Sequence, residues 1–163
     1  MQKRLICFLH YGTIIKENLK AFKEISDYME ADVYFSKKPF VDRVQESGLH
    51  FINRLRDDSM LMYMYSGKPT GKKGRPKKYG DKIMVNELDT KYFDKVVCNK
   101  DLTVYSALVY SMAFQRDIKL AVAVFYKDGQ EVARKLFFST NLQQEGTQIV
   151  CYYRLRFQIE FVS

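Results

Sequence analysis

The spacing of apolar residues predicts one clear helix near the N-terminus. Between Lys16 and Glu30, apolar side chains recur at helical intervals at Leu19, Phe22, Ile25 and Met29, with charged residues between them. One face of a helix built from this segment would be apolar and the other charged. Residues 1–15 lack such a period and contain Gly12, so we expect a strand and a turn there.

The next segments favour a strand–helix–strand order. Residues 31–35 predict a short extended piece that leads into a helix capped near Ser36, with Pro39 tolerated in the first turn. Residues 49–56 alternate apolar and polar side chains, which predicts a strand that presents Arg54 and Arg56 on one face.

A β-rich block follows. Lys127–Gln130 reads Lys-Asp-Gly-Gln, which favours a tight hairpin turn between two of its strands. Strands are predicted at Lys82–Val85, Val96–Cys98, Val104–Phe114, Lys119–Tyr126 and Glu131–Ser139.

The last segment predicts a helix with two different faces. At ~100° per residue, Tyr153, Arg156 and Glu160 share a narrow arc. An adjacent stripe carries Ile149, Tyr152, Leu155 and Ile159, so we expect the stripe to pack and the arc to face ligands. An Arg–Glu pair at this spacing is also a common surface feature worth only a few tenths of a kcal/mol. Gly146 should weaken the first turn by ~1 kcal/mol relative to Ala.

Composition adds a preference for phosphate-bearing partners. The 163 residues, 47% hydrophobic and 15% aromatic, are enough for one packed domain. The net charge of +8 favours nucleic acid or an anionic surface. Cys7, Cys98 and Cys151 match neither a metal motif nor a disulfide framework, so we expect buried thiols in a reducing cytoplasm. No apolar run approaches the ~20 residues of a membrane span.

Much of the positive charge lies in one glycine- and proline-rich loop. Gly67–Lys82 holds seven Lys or Arg residues and one acid, Asp81. Part of it, Gly74-Arg75-Pro76-Lys77-Lys78, is similar to the core of an AT-hook, in which Arg enters a narrow minor groove. A solvated loop that contacts phosphates is the other interpretation. The candidate DNA-binding residues here are Lys72, Lys73, Arg75, Lys77 and Lys78.

Two short motifs resemble those of DDE transposases of the insertion-sequence type. The first is the Tyr153, Arg156, Glu160 spacing on an aromatic-rich helix, which resembles the Tyr-Arg-Glu-Lys signature of this group. The second is Asp32 followed by Tyr-Phe, a Lys pair, Pro and Phe, which resembles the second acidic motif. Taken alone, an Asp before a helix is usually a turn or cap residue. The resemblance covers residues 31–161, and the Lys of the signature would fall beyond Ser163.

The resemblance implies a fold and a division of the chain. DDE transposases carry an all-β insertion within a ribonuclease-H-like α/β core, between the second Asp and the Glu. The expected parts are a partial core over residues 1–58, the basic loop and β-rich insertion over 59–139, and a core helix over 140–163.

The resemblance also implies a chemistry. Asp32 and Glu160 would be two of three catalytic acids and would hold Mg²⁺, for which Mn²⁺ can substitute. Carboxylates suit these ions, and paired metals can activate and stabilise the oxygens of a phosphate undergoing displacement. Tyr153 and Arg156 would position the DNA phosphate. The implied partners are double-stranded transposon ends and a second transposase subunit, in the bacterial cytoplasm at the nucleoid.

One departure from the family shapes the expected function. Asp27 is the sole Asp before Asp32, and it lies at the end of a predicted helix rather than on an opening strand. We therefore expect a truncated transposase that is inactive alone, with an exposed sheet edge and marginal solubility. The alternatives are a non-catalytic DNA-binding protein that uses the Gly67–Lys82 loop, and a fragment that binds and inhibits an intact transposase.

Overall fold

Over the residues that it describes, the computed structural model shows a mixed α/β fold built on one eight-stranded sheet. It describes residues 2–67 and 78–159, with side chains described for 10–67 and 78–155. The helices are α1 (Gln2–Glu17), α2 (Leu19–Ile25), α3 (Lys38–Glu46) and α4 (Gly146–Ile159). The strands are β1 (Tyr28–Glu30), β2 (His50–Arg54), β3 (Leu61–Met64), β4 (Tyr79–Lys82), β5 (Asp94–Asn99), β6 (Leu102–Ser111), β7 (Arg116–Lys127) and β8 (Gln130–Ser139).

The order of strands in the sheet is β1-β2-β8-β7-β6-β3-β4, with β5 also paired to β6. β1 and β2 run parallel, with Tyr28 beside His50 and Glu30 beside Ile52, and α3 makes the crossover between them. The other described pairs are antiparallel. The parallel pair therefore brings the carboxyl ends of β1 and β2 to the same edge of the sheet.

Helices cover both faces of this sheet. On one face, α4 buries Ile149, Val150 and Tyr153 against the sheet. On the other face, a larger core includes Ile15 of α1 and the α3 residue Val44. The alternation along each strand divides the sheet residues between these two cores.

The β6–β7–β8 meander confirms the predicted hairpin. Asp128 and Gly129 occupy the turn with φ of 52° and 77°, the left-handed values that a two-residue hairpin of this kind requires. The strand predicted at residues 49–56 is also confirmed as β2, and the helix with Pro39 in its first turn is confirmed as α3.

Several sequence expectations were wrong. The piece predicted to be extended at residues 31–35 contains a 3-10 turn over Val33–Phe35. The strand predicted at Lys82–Val85 instead ends at Lys82, because β4 is formed by Tyr79–Lys82, the last part of the segment predicted as a basic loop.

The other wrong expectations concern two helices and the cysteines. Residues 2–17 form a helix rather than a strand and turn, because α1 packs on α3 with Gly12 against the Arg43 side chain. The helix predicted over residues 16–30 is cut short, since α2 ends at Ile25 and pairing with β2 makes Tyr28–Glu30 a strand. Cys98 and Cys151 were expected to be buried, and both are exposed.

The fold class is therefore α/β, as expected, with a mostly open sheet. The strands of the expected insertion are hydrogen-bonded into the same sheet as β2, through the β2–β8 pair. Within the described ranges, no helix is long and apolar enough to span a bilayer.

Candidate nucleic-acid interface

Asp32 lies immediately beyond the carboxyl end of β1. Its side chain is exposed, and its carboxylate accepts a hydrogen bond from the Tyr34 amide (2.9 Å) as the cap of a 3-10 turn over Val33–Phe35. The β1–β2 pairing ends at Glu30 and Ile52, and beyond it the Asp32 carbonyl accepts a hydrogen bond from the Asn53 side chain (3.0 Å), so Asp32 lies beside the end of β2. The predicted second acid thus stands at the edge where ligands commonly bind in α/β sheets.

Arg54 ends β2 at the same edge. Its carbonyl accepts a hydrogen bond from the Ser36 hydroxyl (2.8 Å), which ties the strand to the loop that follows Asp32. One of its guanidinium nitrogens is 3.7 Å from an oxygen of Asp57, whose side chain is largely exposed. The Nε of Arg54 is buried and has no hydrogen-bond partner among the described residues. The guanidinium also lines the cleft described below, so part of it can meet a ligand there.

Helix α4 crosses the sheet toward this edge. Its first residue, Gly146, contacts Ser106 of β6, and Tyr152 lies against Tyr28 of β1 with ring centres 5.4 Å apart. The ring of Tyr153 packs on the ring of Phe137, with ring centres 4.9 Å apart.

The faces of α4 differ from those expected. Tyr153 is only 6% exposed and belongs to the packing face, whereas Leu155 is 47% exposed. The reason lies in the sheet, whose apolar face accepts Ile149, Val150 and Tyr153 as the buried side of the helix.

A cleft of about 500 Å³ opens between the end of β2, the start of β6 and α4. Its buried wall is formed by Leu102, Phe137 and Tyr153. A second depression of about 380 Å³ adjoins it through Arg54 and reaches Val33, next to Asp32. The polar groups around the first cleft are Arg54, Asn99, Asp101, Lys135 and Arg154.

Cations outnumber acids around the first cleft. Arg54, Lys135 and Arg154 line it together with a single carboxylate, Asp101. Arginine can grip a phosphate through paired hydrogen bonds, and the apolar wall lowers the competition from water. The arrangement suits an anionic ligand with an apolar or aromatic part.

Several predicted site residues lie outside this description. Glu160, Lys72, Lys73, Arg75 and Lys77 fall outside the described residues, and the side chain of Arg156 does too. Lys78 is described and exposed: its ammonium is 3.3 Å from Asp117 and 5.1 Å from the centre of the Tyr79 ring. Hydrogen bonding to Tyr79 and to Asp117 raises the pKa of Lys78.

Sequence reasoning did not select Lys135, Arg154 or Arg54 as site residues. Arg54 had a signal, because an Arg at the end of a strand that follows a candidate acid was visible in the sequence. Lys135 and Arg154 gave none, since their place at the cleft depends on how β8 and α4 meet.

The described side chains do not complete a metal site. Asp32 offers an exposed carboxylate of the kind that Mg²⁺ prefers. However, no three His, Cys, Asp or Glu side chains converge anywhere in the described part of the chain.

No known protein family, curated protein or solved structure matched this chain in the comparisons.

Proposed function

We propose that this chain binds DNA in the cleft beside Arg54, as part of the ribonuclease-H-like core of a DDE transposase of the insertion-sequence type. Such transposases act in DNA transposition by metal-dependent strand cleavage and transfer. The proposal assigns Asp32 and Glu160 to the second and third acids of that core.

The observation that supports it best is the parallel β1–α3–β2 unit. It brings Asp32 beside the end of β2, where Arg54 lies, and α4 brings Arg154 to the same cleft as Arg54. Two motifs that are far apart in the sequence are thus carried by elements of one sheet and its covering helix. The catalytic core of a DDE transposase needs one acid at the end of a strand and another acid on a helix that packs on the sheet.

Each residue has a role in the proposal. Arg54, Lys135 and Arg154 contact phosphates, and Tyr153 and Arg156 of α4 keep the expected role of positioning the DNA phosphate. Asp32 and Glu160 hold Mg²⁺, for which Mn²⁺ can substitute. A bound metal would supply Lewis-acid stabilisation of phosphate oxygens. Asp27, the sole Asp before Asp32, lies between α2 and β1 rather than on a strand and does not suit the role of the first acid, so we expect the chain alone to bind DNA without cleaving it.

DNA binding at the cleft can be tested with charge-removing variants. Fluorescence anisotropy with a labelled 20-base-pair duplex should show weaker binding for Arg154→Ala and Lys135→Ala. The matched control is Arg43→Ala, an exposed cation of α3 on the other face of the sheet. Equal duplex affinity for the wild type and all three variants would exclude the cleft as the binding site.

The metal assignment needs a separate test. Mn²⁺ added to the ¹⁵N-labelled protein should broaden the amide signal of Tyr34, whose N–H donates to Asp32. Asp32→Asn and Glu160→Gln should each reduce the broadening, whereas Glu46→Gln on α3 should not. Broadening that survives in Asp32→Asn would place the ion elsewhere.

The alternative function is DNA binding without catalysis through the Gly67–Lys82 loop. Its support is the concentration of seven Lys or Arg residues in this loop, within a chain of net charge +8. Replacing Lys72, Lys73, Arg75, Lys77 and Lys78 together by Ala would then abolish binding. In that case, the cleft variants would retain it.

A further inference from the structure

Asn53 is a fully buried polar residue behind the cleft. It neighbours Arg54 on β2 but points to the opposite face of the sheet, on the same side as Phe51 and Leu55. Burying a side-chain amide without hydrogen-bond partners would cost folding free energy. The partners of Asn53 therefore indicate which residues it positions.

Both ends of the Asn53 amide are engaged with residues of the proposed site. Its Nδ2 donates to the main-chain carbonyl of Asp32 (3.0 Å), and its Oδ1 accepts from the amide of Arg54 (2.7 Å). The orientation of the amide follows from these partners, because a carbonyl only accepts and an N–H only donates.

The same carbonyl and carboxylate of Asp32 are fixed by the turn that follows. The Phe35 amide donates to the Asp32 carbonyl (2.8 Å), and the Tyr34 amide donates to the Asp32 carboxylate (2.9 Å). The Ser36 hydroxyl then donates to the carbonyl of Arg54. The loop is therefore held to the end of β2 at two points, of which Asn53 holds the one at Asp32 itself.

We infer that Asn53 is a positioning residue that couples Asp32 to Arg54. This inference rests on the proposed function, because it assigns Asn53 a role through two residues of that site. Asn53 does not face the cleft, so it acts on a ligand only by fixing where the acid and the cation stand. Hydrogen bonds from residues outside a binding site hold the residues of the site in their binding geometry.

Asparagine suits this role because one side chain supplies both a donor and an acceptor. Aspartate of the same shape lacks the N–H that holds the Asp32 carbonyl. Leucine keeps the branching and the number of heavy atoms and loses both hydrogen bonds. Asn53→Leu is therefore the variant that removes the coupling while keeping the shape of the side chain.

The control is Thr140→Val. The Thr140 side chain is buried, and its hydroxyl oxygen accepts a hydrogen bond from the Phe51 amide (2.8 Å) on the same strand. It thus removes a comparable buried side-chain hydrogen bond to β2 at a place away from Asp32. Any general loss of stability should appear in both variants.

The test is amide hydrogen exchange measured by NMR under native conditions. In Asn53→Leu, the Tyr34 and Phe35 amides should exchange roughly tenfold faster relative to the core amides of β7. In Thr140→Val, these amides should keep their rates relative to the core. Equal behaviour of the two variants would overturn the positioning role.

Duplex affinity separates this inference from the proposed function. Arg54→Ala and Asn53→Leu should each weaken binding, and the double variant should lose less than the two combined effects. Fully additive losses would overturn the coupling. If Arg54→Ala leaves affinity unchanged while Asn53→Leu still loosens the Tyr34 amide, the cleft is not the DNA site and the positioning of Asp32 stands.

Discussion

Gly146 and Ser106 touch so closely that no other residue fits at the start of α4. A Cβ placed on Gly146 would lie 2.4 Å from the Cβ of Ser106 and 2.8 Å from its hydroxyl oxygen. Non-bonded carbon atoms do not approach each other to that distance, so a side chain at residue 146 would push α4 away from β6. The glycine sets the height at which the helix lies on the sheet, and with it the depth of the cleft beside Tyr153.

Gly146→Ala should destabilise the protein, although it adds a better helix former. The gain in helix propensity is at most ~1 kcal/mol, whereas overpacking of a close contact costs about 1–3 kcal/mol. Urea unfolding should therefore show a lower free energy of unfolding for this variant. Thr147→Ala, one position along the helix, serves as the control, and Ser106→Gly should restore part of the loss. A higher free energy of unfolding for Gly146→Ala would show that the contact between Gly146 and Ser106 has room for a methyl group.

The elements that sequence reasoning found are those whose pattern is local. β2 and the strands of the β6–β7–β8 meander alternate or carry clear turn residues, and each was placed within a few residues. The elements it missed depend on contacts distant in sequence. Met29 and Ile25 share helical spacing, yet Met29 pairs with Phe51 in the sheet and Ile25 is 84% exposed.

The same distinction applies to the candidate site. Asp32 could be proposed from the sequence because a motif surrounds it, and the structure sets it at the end of β1. The cleft itself could not, because Lys135 and Arg154 come together only where β8 and α4 meet. Asn53 gave no signal either, since its buried amide matters through the Asp32 carbonyl on a neighbouring segment.

Gly129→Ala should destabilise the β7–β8 hairpin through the backbone alone. Gly129 has a φ of 77°, and no atom lies within 4 Å of the position that its Cβ would take. The cost is therefore the left-handed conformation of an L-residue, ~1–2 kcal/mol. Gly129→Asn should lose less, because Asn tolerates this region, and Lys127→Ala should be near neutral. Thermal unfolding of the three variants gives the order, and equal stability of the Ala and Asn variants would contradict this explanation.

The pair formed by Glu131 and Arg134 should contribute to stability in a pH-dependent way. Hydrogen bonding from Arg134 lowers the pKa of Glu131 below its usual 4.5. Since the folded pKa is depressed, the contribution is complete above the unfolded value of 4.5. It is lost as the pH falls through the lowered folded value. Glu131→Gln should remove this part of the acid-side decline in melting temperature.

A second variant checks the cause of that decline. Arg134→Gln removes the partner and should flatten the acid side in the same way, while also losing the hydrogen bond from Arg134 to the Val85 carbonyl (2.7 Å). It should therefore be less stable than Glu131→Gln at neutral pH. An acid-side profile that stays as steep as in the wild type in either variant would assign the decline to other carboxylates.

The salt dependence of DNA binding should reveal which cations meet phosphate. For duplex DNA, the slope of log affinity against log salt is about −0.9 per phosphate contact. If the cleft is the site, Arg154→Ala and Lys135→Ala should each make the slope shallower by about one. If the Gly67–Lys82 loop binds instead, the five-cation loop variant should lose up to about five units of slope, and the two cleft variants should keep the slope of the wild type. The measurement distinguishes the two surfaces even where both contribute to affinity, because each contact is counted by the counterions it releases.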